Sequence, residues 1–127
     1  MPGVLIVEDE FLVALDLEDI IVQAGHQLVG VVADRRGIEG IQEGPSVALV
    51  DLNLRDGPTG PEIARRLAEQ FGTRIIFVTA NPDQINHPPA TALGYIRKPF
   101  NPVDIVEAVA LASGKAAARP KGLHQLH

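Results

Sequence analysis

Two kinds of apolar run alternate along the chain. Val4-Leu5-Ile6-Val7, Val47-Ala48-Leu49-Val50 and Ile75-Ile76-Phe77-Val78 are short and unbroken, which predicts strands buried on both faces. Leu28-Val29-Gly30-Val31-Val32 and the shorter Tyr95-Ile96-Arg97 predict two more. Between these runs the apolar residues take a helical spacing. Val13, Leu17, Ile20 and Ala24 mark one face of a helix from Phe11 to Ala24, with Asp16, Asp19 and Gln23 opposite and Gly25 placed to end it. Phe11, Leu15 and Val22 form a second apolar stripe on the same helix. Asp34 is suited to cap a second helix that buries Ile38 and Ile41, although Gly37 and Gly40 weaken it. Thr59 or Gly60 opens a third, with Pro61 in its first turn, Ile63, Leu67 and Phe71 inward, and Gly72 as its stop. Asn101 caps a last helix that turns Ile105, Val106 and Val109 inward.

The pattern fails in two places. Between Thr79 and Lys98, Asn81 and Pro82 suit a helix start, but Pro88 disfavours α geometry at His87 and removes a backbone donor. A helix there can run little more than one turn, and Pro89 can start only another short turn through Leu93. A short, irregular and mobile segment is therefore expected where a fourth helix would stand. Beyond Gly114 no periodicity survives, so residues 115–127 are expected to form a loose tail outside a domain of residues 1–114.

Strands alternating with helices predict an α/β fold, doubly wound, with a parallel sheet covered on both faces. The 127 residues suit one domain, and no separate output domain is expected among them. Hydrophobic residues make up 46% of the chain and charged residues 21%, ordinary values for a folded domain. Net charge is −5 with no basic cluster inside the domain, which argues against nucleic acid as its partner. No apolar run approaches the roughly 18 residues that span a bilayer, no signal peptide precedes the first strand, and there is no Cys. A cytoplasmic protein without membrane contact is the expectation.

In a parallel sheet the carboxyl ends of all strands meet one edge. The first strand delivers Glu8 and Asp9 there, the third Asp51, the fourth Thr79 and the fifth Lys98. Three clustered carboxylates repel one another, and a hard divalent cation such as Mg²⁺ relieves that repulsion through oxygen ligands. A carboxylate is also a nucleophile that forms acyl phosphates, and Lys and metal are recurring parts of phosphoryl transfer. Glu10 adds a further acid with no assigned role. His26, His87, His124 and His127 lack metal-ligand spacing.

Glu8-Asp9, Asp51, Thr79 and Lys98-Pro99, each at its strand end, resemble the signature of receiver domains of bacterial two-component response regulators. The resemblance covers the chain to about Gly114. It implies a five-stranded parallel sheet of order 2-1-3-4-5 and a signalling module that catalyses only its own phosphorylation and dephosphorylation. By this resemblance Asp51 is the phosphoacceptor, served by a sensor histidine kinase or phosphotransfer domain. Asp9, Asp51 and the Asn53 backbone carbonyl would hold Mg²⁺, with Glu8 acting through water. Thr79 and Tyr95 would be the switch pair, Lys98 would pair with the phosphoryl group, and the peptide before Pro99 would be cis. Relatives use the first helix to dock the kinase, and output passes to a downstream target protein or, in some, to a second copy. The loop from Asp51 to Gly60 departs from the family by looking one residue longer and by carrying Arg55 where Pro is frequent. Two rival readings fit less well. A flavin-binding module would need a phosphate-holding loop where Glu8-Asp9-Glu10 stands. An aspartyl-phosphate hydrolase would need a general acid where Asn53 stands.

Overall fold

A computed structural model describes residues 3–116 and 118–126. The first two residues of the domain, Ala117 in the tail and His127 lie outside them. Five parallel strands and one antiparallel strand form a sheet of order β2-β1-β3-β4-β5-β6. The strands are β1 (Val4–Val7), β2 (Leu28–Val32), β3 (Val47–Val50), β4 (Arg74–Thr79), β5 (Ala92–Arg97) and β6 (Leu123–His124). Among the described residues there are three α-helices: α1 (Phe11–Gln23), α2 (Gly60–Phe71) and α3 (Pro102–Ala112).

All four residues of β1 and all four of β3 are buried, as befits strands with a layer on each side. Alternation then divides the core. Val4, Ile6, Leu49, Ile76 and Val78 face α1 and α3, where they meet Leu17, Ile21, Ile105 and Val109. Leu5, Val7, Val50, Ile75 and Phe77 face α2, where they meet Ile63, Ala64 and Leu67. Each large side chain so buried contributes about 1.5–3 kcal/mol.

The helix ends follow from local chemistry. Asn101 caps α3 by accepting from the Val103 N–H at 3.0 Å. Gly25 and Gly72 take the left-handed φ values of 86° and 69° that close α1 and α2. Thr59 makes no side-chain cap, but its carbonyl accepts from the Ile63 N–H at 3.0 Å.

Four features differ from the sequence reading. The helix expected after Asp34 is a single 3₁₀ turn, Arg35–Ile38, although Asp34 does accept from the Gly37 N–H at 3.2 Å and Ile38 is buried. Gly37 and Gly40 disfavour a longer helix, and a Cβ on Gly37 would fall 2.5 Å from the Val32 Cβ. The buried face of α1 is Ala14, Leu17, Ile20 and Ile21, with Val13 half-buried and Ala24 exposed at the helix end. Contact with both β1 and α3 rotates that face off the expected stripe. The fifth strand starts earlier, at Ala92. Residues 123–124 of the expected tail form β6 against β5, with Tyr95 opposite His124 and Ile96 opposite Leu123.

The segment expected to lack a fourth helix does lack it. A 3₁₀ turn spans Pro82–Gln84, and a single hydrogen-bonded turn closes from the Ala92 N–H to the Pro89 carbonyl at 3.0 Å. The side chain of Asn81 makes no cap; its carbonyl accepts from the Gln84 N–H. His87, just before Pro88, has φ of 51°.

Candidate functional site

The three central strands end on the groups that matter. Register sets Val7 beside Val50 and Val50 beside Phe77, so the residues that follow β1 and β3 emerge side by side. The Asp51 N–H donates to the Val7 carbonyl at 2.9 Å, extending the ladder to the last residue before the loop. The Asp51 side chain, 6% exposed, accepts the Leu52 N–H on Oδ1 at 2.8 Å. That bond fixes the carboxylate and presents Oδ2 to the Lys98 ammonium at 3.1 Å.

Lys98 reaches further. Its Nζ donates to Glu8 Oε1 at 2.7 Å and to Glu10 Oε1 at 3.5 Å. Glu8 is buried, 2% exposed, and its Oε2 accepts from the Glu10 N–H at 3.1 Å. Burial pushes the Glu8 carboxyl above the usual value, and the hydrogen bond from Lys98 only partly opposes it. Burial by itself would depress the Lys98 ammonium, but bonds and charges from Glu8 and Asp51 together hold it above the usual value. One cation thus binds two buried carboxylates that would otherwise repel.

Asp9 is exposed beside them. A cleft of about 250 Å³ opens here, lined by Asp9, Asp51, Asn53, Ala80, Asn81 and Lys98 among others. Carboxylate oxygens of Glu8, Asp9 and Asp51 lie within 4.8 Å of one another. Three hard oxygen donors at that spacing fit Mg²⁺, which needs few protein ligands and keeps several waters.

Thr79, fully buried, accepts the Asn81 N–H on Oγ1 at 2.9 Å. The Lys98 N–H donates to the Thr79 carbonyl at 2.9 Å, which ties the ends of β4 and β5 together. The Lys98–Pro99 peptide is cis. Tyr95 stands apart from the cleft. It pairs with Phe77 across β4 and stacks on His124, ring centroids 4.9 Å apart and 22° from parallel.

The loop after Asp51 is ordered. Leu54 and Gly57 exchange backbone hydrogen bonds at 2.8 and 3.0 Å, and Leu54 is buried. Arg55 points outward and pairs with Asp34 at 3.6 Å. Gly60 is required where α2 starts, because a Cβ there would fall 2.0 Å from the Asp51 carbonyl oxygen.

Three participants escaped the sequence reading. Glu10 touches Lys98 and lines the cleft. Gln84 accepts from Asn53 Nδ2 at 2.8 Å, linking the 3₁₀ turn to the cleft wall. His124 covers the ring of Tyr95. Only the position of Glu10, next to Glu8-Asp9, carried any signal.

A parallel α/β sheet that gathers acids, a buried hydroxyl and a lysine at its strand ends defines a phosphorylation-signalling receiver as a class. The chain belongs to that family: the model for the response regulator receiver domain matches residues 4–110. The family generally signals rather than turning over a substrate, and the cluster of Glu8, Asp9 and Asp51 is consistent with its Mg²⁺ site. The chain is 33% identical over 114 residues to the phyllosphere-induced regulator PhyR of Methylorubrum extorquens, covering 86% of this chain and 42% of that protein. It is 30% identical to the transcriptional regulatory protein PdtaR of Mycobacterium tuberculosis, covering 86% of this chain and 55% of that one. The chain therefore spans about half the length of the curated relatives it matches. The receiver domain of Erythrobacter litoralis PhyR superposes with a TM-score of 0.79 at 29% identity, over 94% of this chain and 95% of that one.

Proposed function

We propose that this chain accepts a phosphoryl group on Asp51 from the phosphohistidine of a sensor histidine kinase or phosphotransfer protein, and signals through protein contacts that change with phosphorylation. The observation that carries this reading is the buried Asp51 carboxylate, fixed by the Leu52 N–H and paired with Lys98 at the wall of an acidic cleft. A carboxylate oxygen of Asp51 attacks phosphorus. The new P–O bond forms as the donor's P–N bond breaks, and the leaving nitrogen keeps the electron pair and takes a proton from water.

Lys98 follows the charge from Asp51 Oδ2 to the phosphoryl oxygens, so it stabilises product as well as substrate. Asp9, Asp51 and the Asn53 carbonyl would hold Mg²⁺ directly, and Glu8 through water. Bound there, Mg²⁺ supplies positive charge against the oxygens of the phosphoryl group. Thr79 trades the Asn81 N–H for a phosphoryl oxygen, and Tyr95 turns inward behind it. The cis peptide before Pro99 belongs to the segment that aims Lys98.

A cytoplasmic setting suits this reading, and among the described residues no helix is long and apolar enough to cross a membrane. The output partner is a downstream protein or a second copy of the chain. PhyR from Bartonella quintana is an anti-anti-sigma factor, and this chain covers 50% of it. Output runs through protein contact, not nucleic acid.

Incubation with acetyl phosphate and Mg²⁺, followed by mass-spectrometric mapping, tests the proposal. Label is expected on Asp51 and none in Asp51→Asn. Undiminished label in that variant overturns the assignment.

A further inference from the structure

The outer edge of β5 is not open. Residues 118–126 lie across it, and their fit is detailed. Leu123 is buried among the side chains of the α1 and α3 layer, while Leu126 packs against the core on the opposite side of the sheet, as Ile85 and Tyr95 do. The tail therefore straddles the sheet edge and fills part of the space that the missing fourth helix leaves. Arg119 Nη1 donates to the Leu93 carbonyl at 3.0 Å, and Pro120 is buried.

Two glycines permit this approach. Gly94, at φ of 156°, has the His124 carbonyl oxygen 2.2 Å from where a Cβ would stand. Gly122 has Asp104 Oδ2 at 2.1 Å from the same point. Side chains at either position would hold the tail away.

Antiparallel pairing here amounts to two residue pairs, and one of them joins His124 to Tyr95. The ring of His124 also lies over the ring of Tyr95. A two-residue strand has little backbone bonding of its own and depends on its side-chain contacts. Tyr95 is in turn placed beside β4, opposite Phe77 and two residues before the partner of Thr79. The residue assigned the switch role under the proposed function is also the residue that holds the tail.

We propose that residues 118–126 are an autoinhibitory strap, seated on the β5 edge while Asp51 is unmodified and released when Tyr95 leaves His124 to follow Thr79 toward the phosphoryl group. The proposal rests on the receiver reading above. Release uncovers an unpaired strand edge together with the apolar slots of Leu123 and Leu126. Such an edge is a ready template for strand addition. The strap is thus the resting occupant of the output surface, in the place of the absent helix.

Trypsin reads the strap through the Lys121–Gly122 bond, which lies between Pro120 and β6. The full chain is digested briefly with and without acetyl phosphate and Mg²⁺, and intact mass reports label on Asp51 in the same samples. Phosphorylation is expected to speed cleavage at Lys121 roughly two- to tenfold, the population shift expected from losing one aromatic stack. Cleavage within α2 at Arg65 should stay at its resting rate, which separates strap release from general unfolding. His124→Ala should raise cleavage at Lys121 by a similar factor without phosphate and still take label on Asp51. Label on Asp51 with unchanged or slower cleavage at Lys121 overturns the strap alone. A resting rate in unphosphorylated His124→Ala also overturns it. Absence of label overturns the receiver reading and the strap with it.

Discussion

The strand-end site and the β5 edge each carry some buried groups, yet they are secured differently. At the site, polar atoms find partners close in sequence. Glu8 takes the Glu10 N–H, Asp51 the Leu52 N–H and Thr79 the Asn81 N–H. Lys98 reaches across the fold to Glu8 and Asp51, Asn53 does so to Gln84, and the Lys98 backbone is fixed to Thr79. At the β5 edge the contacts that seat the tail join distant segments: Arg119 with Leu93, Leu123 with Ile96, His124 with Tyr95. β1 and β3 are flanked by strands on both sides, whereas β6 is the last strand of the sheet. The first arrangement is set once the strands pair and suits preorganised chemistry. The second can open without disturbing the first, because local opening follows contact density.

The largest effect is expected from Lys98→Met. It leaves Glu8 buried beside Asp51 without its cation, at a cost of about 3–5 kcal/mol. The pH-dependent window should also move to lower pH. In the parent, the raised value of Lys98 means that its contribution is complete at neutral pH and is lost as pH climbs through that value. In Lys98→Met the raised Glu8 dominates, and a raised carboxyl favours the folded state only while protonated. Urea titrations should therefore find the variant gaining stability from mildly alkaline to mildly acidic pH. A variant as stable as the parent at neutral pH would show that the site is not held by this cation.

The sharpest comparison uses two equally buried leucines. Leu49, 1% exposed in β3, should cost about 2–5 kcal/mol when changed to Ala. Leu123, 2% exposed in β6, loses the same groups. Its cost should nevertheless stop near about 1 kcal/mol, because the edge can open locally and cap the loss. Equal losses in denaturant unfolding would mean that the edge is as firmly held as the centre of the sheet.

Mg²⁺ should act on the site end only. At about 100 times its dissociation constant, a ligand adds about 2.7 kcal/mol. Melting should rise in millimolar Mg²⁺ and fall back on chelation, with no rise in Asp9→Asn. Amide exchange of β5 in the unphosphorylated protein should stay unchanged.

The smallest effect belongs to His26, which shares a cleft with Lys115 at the opposite end of the sheet from the site. Burial, helped by the Lys115 charge, holds its imidazole below the usual value. A lowered His stabilises the fold while neutral, so that contribution is present above the usual value and lost as pH falls through it. His26→Gln should flatten the acid side of the stability profile slightly and leave both Asp51 labelling and Lys121 cleavage unchanged.

Much of this was legible in the chain. The unbroken apolar runs point to β1, β3 and β4, since they are too short for helices, rich in β-branched residues and fit strands covered on both sides. Strand ends are local features, so the placement of Glu8, Asp9, Asp51, Thr79 and Lys98 at one edge followed from sequence pattern and parallel pairing. Pro88 and Pro89 determine the missing fourth helix through backbone sterics alone. Tertiary structure decided the remainder. The second helix shrank to Arg35–Ile38 where Gly37 meets Val32. The inner face of α1 keeps a helical period but is centred on Ala14, Leu17 and Ile21, where the helix meets β1, β2 and α3. The pair Leu123-His124 has no strand signature, and it becomes a strand because β5 offers an edge, Gly94 offers room and Tyr95 offers a ring. Those three conditions exist only after the sheet has formed, so a pattern read along the chain has no access to them.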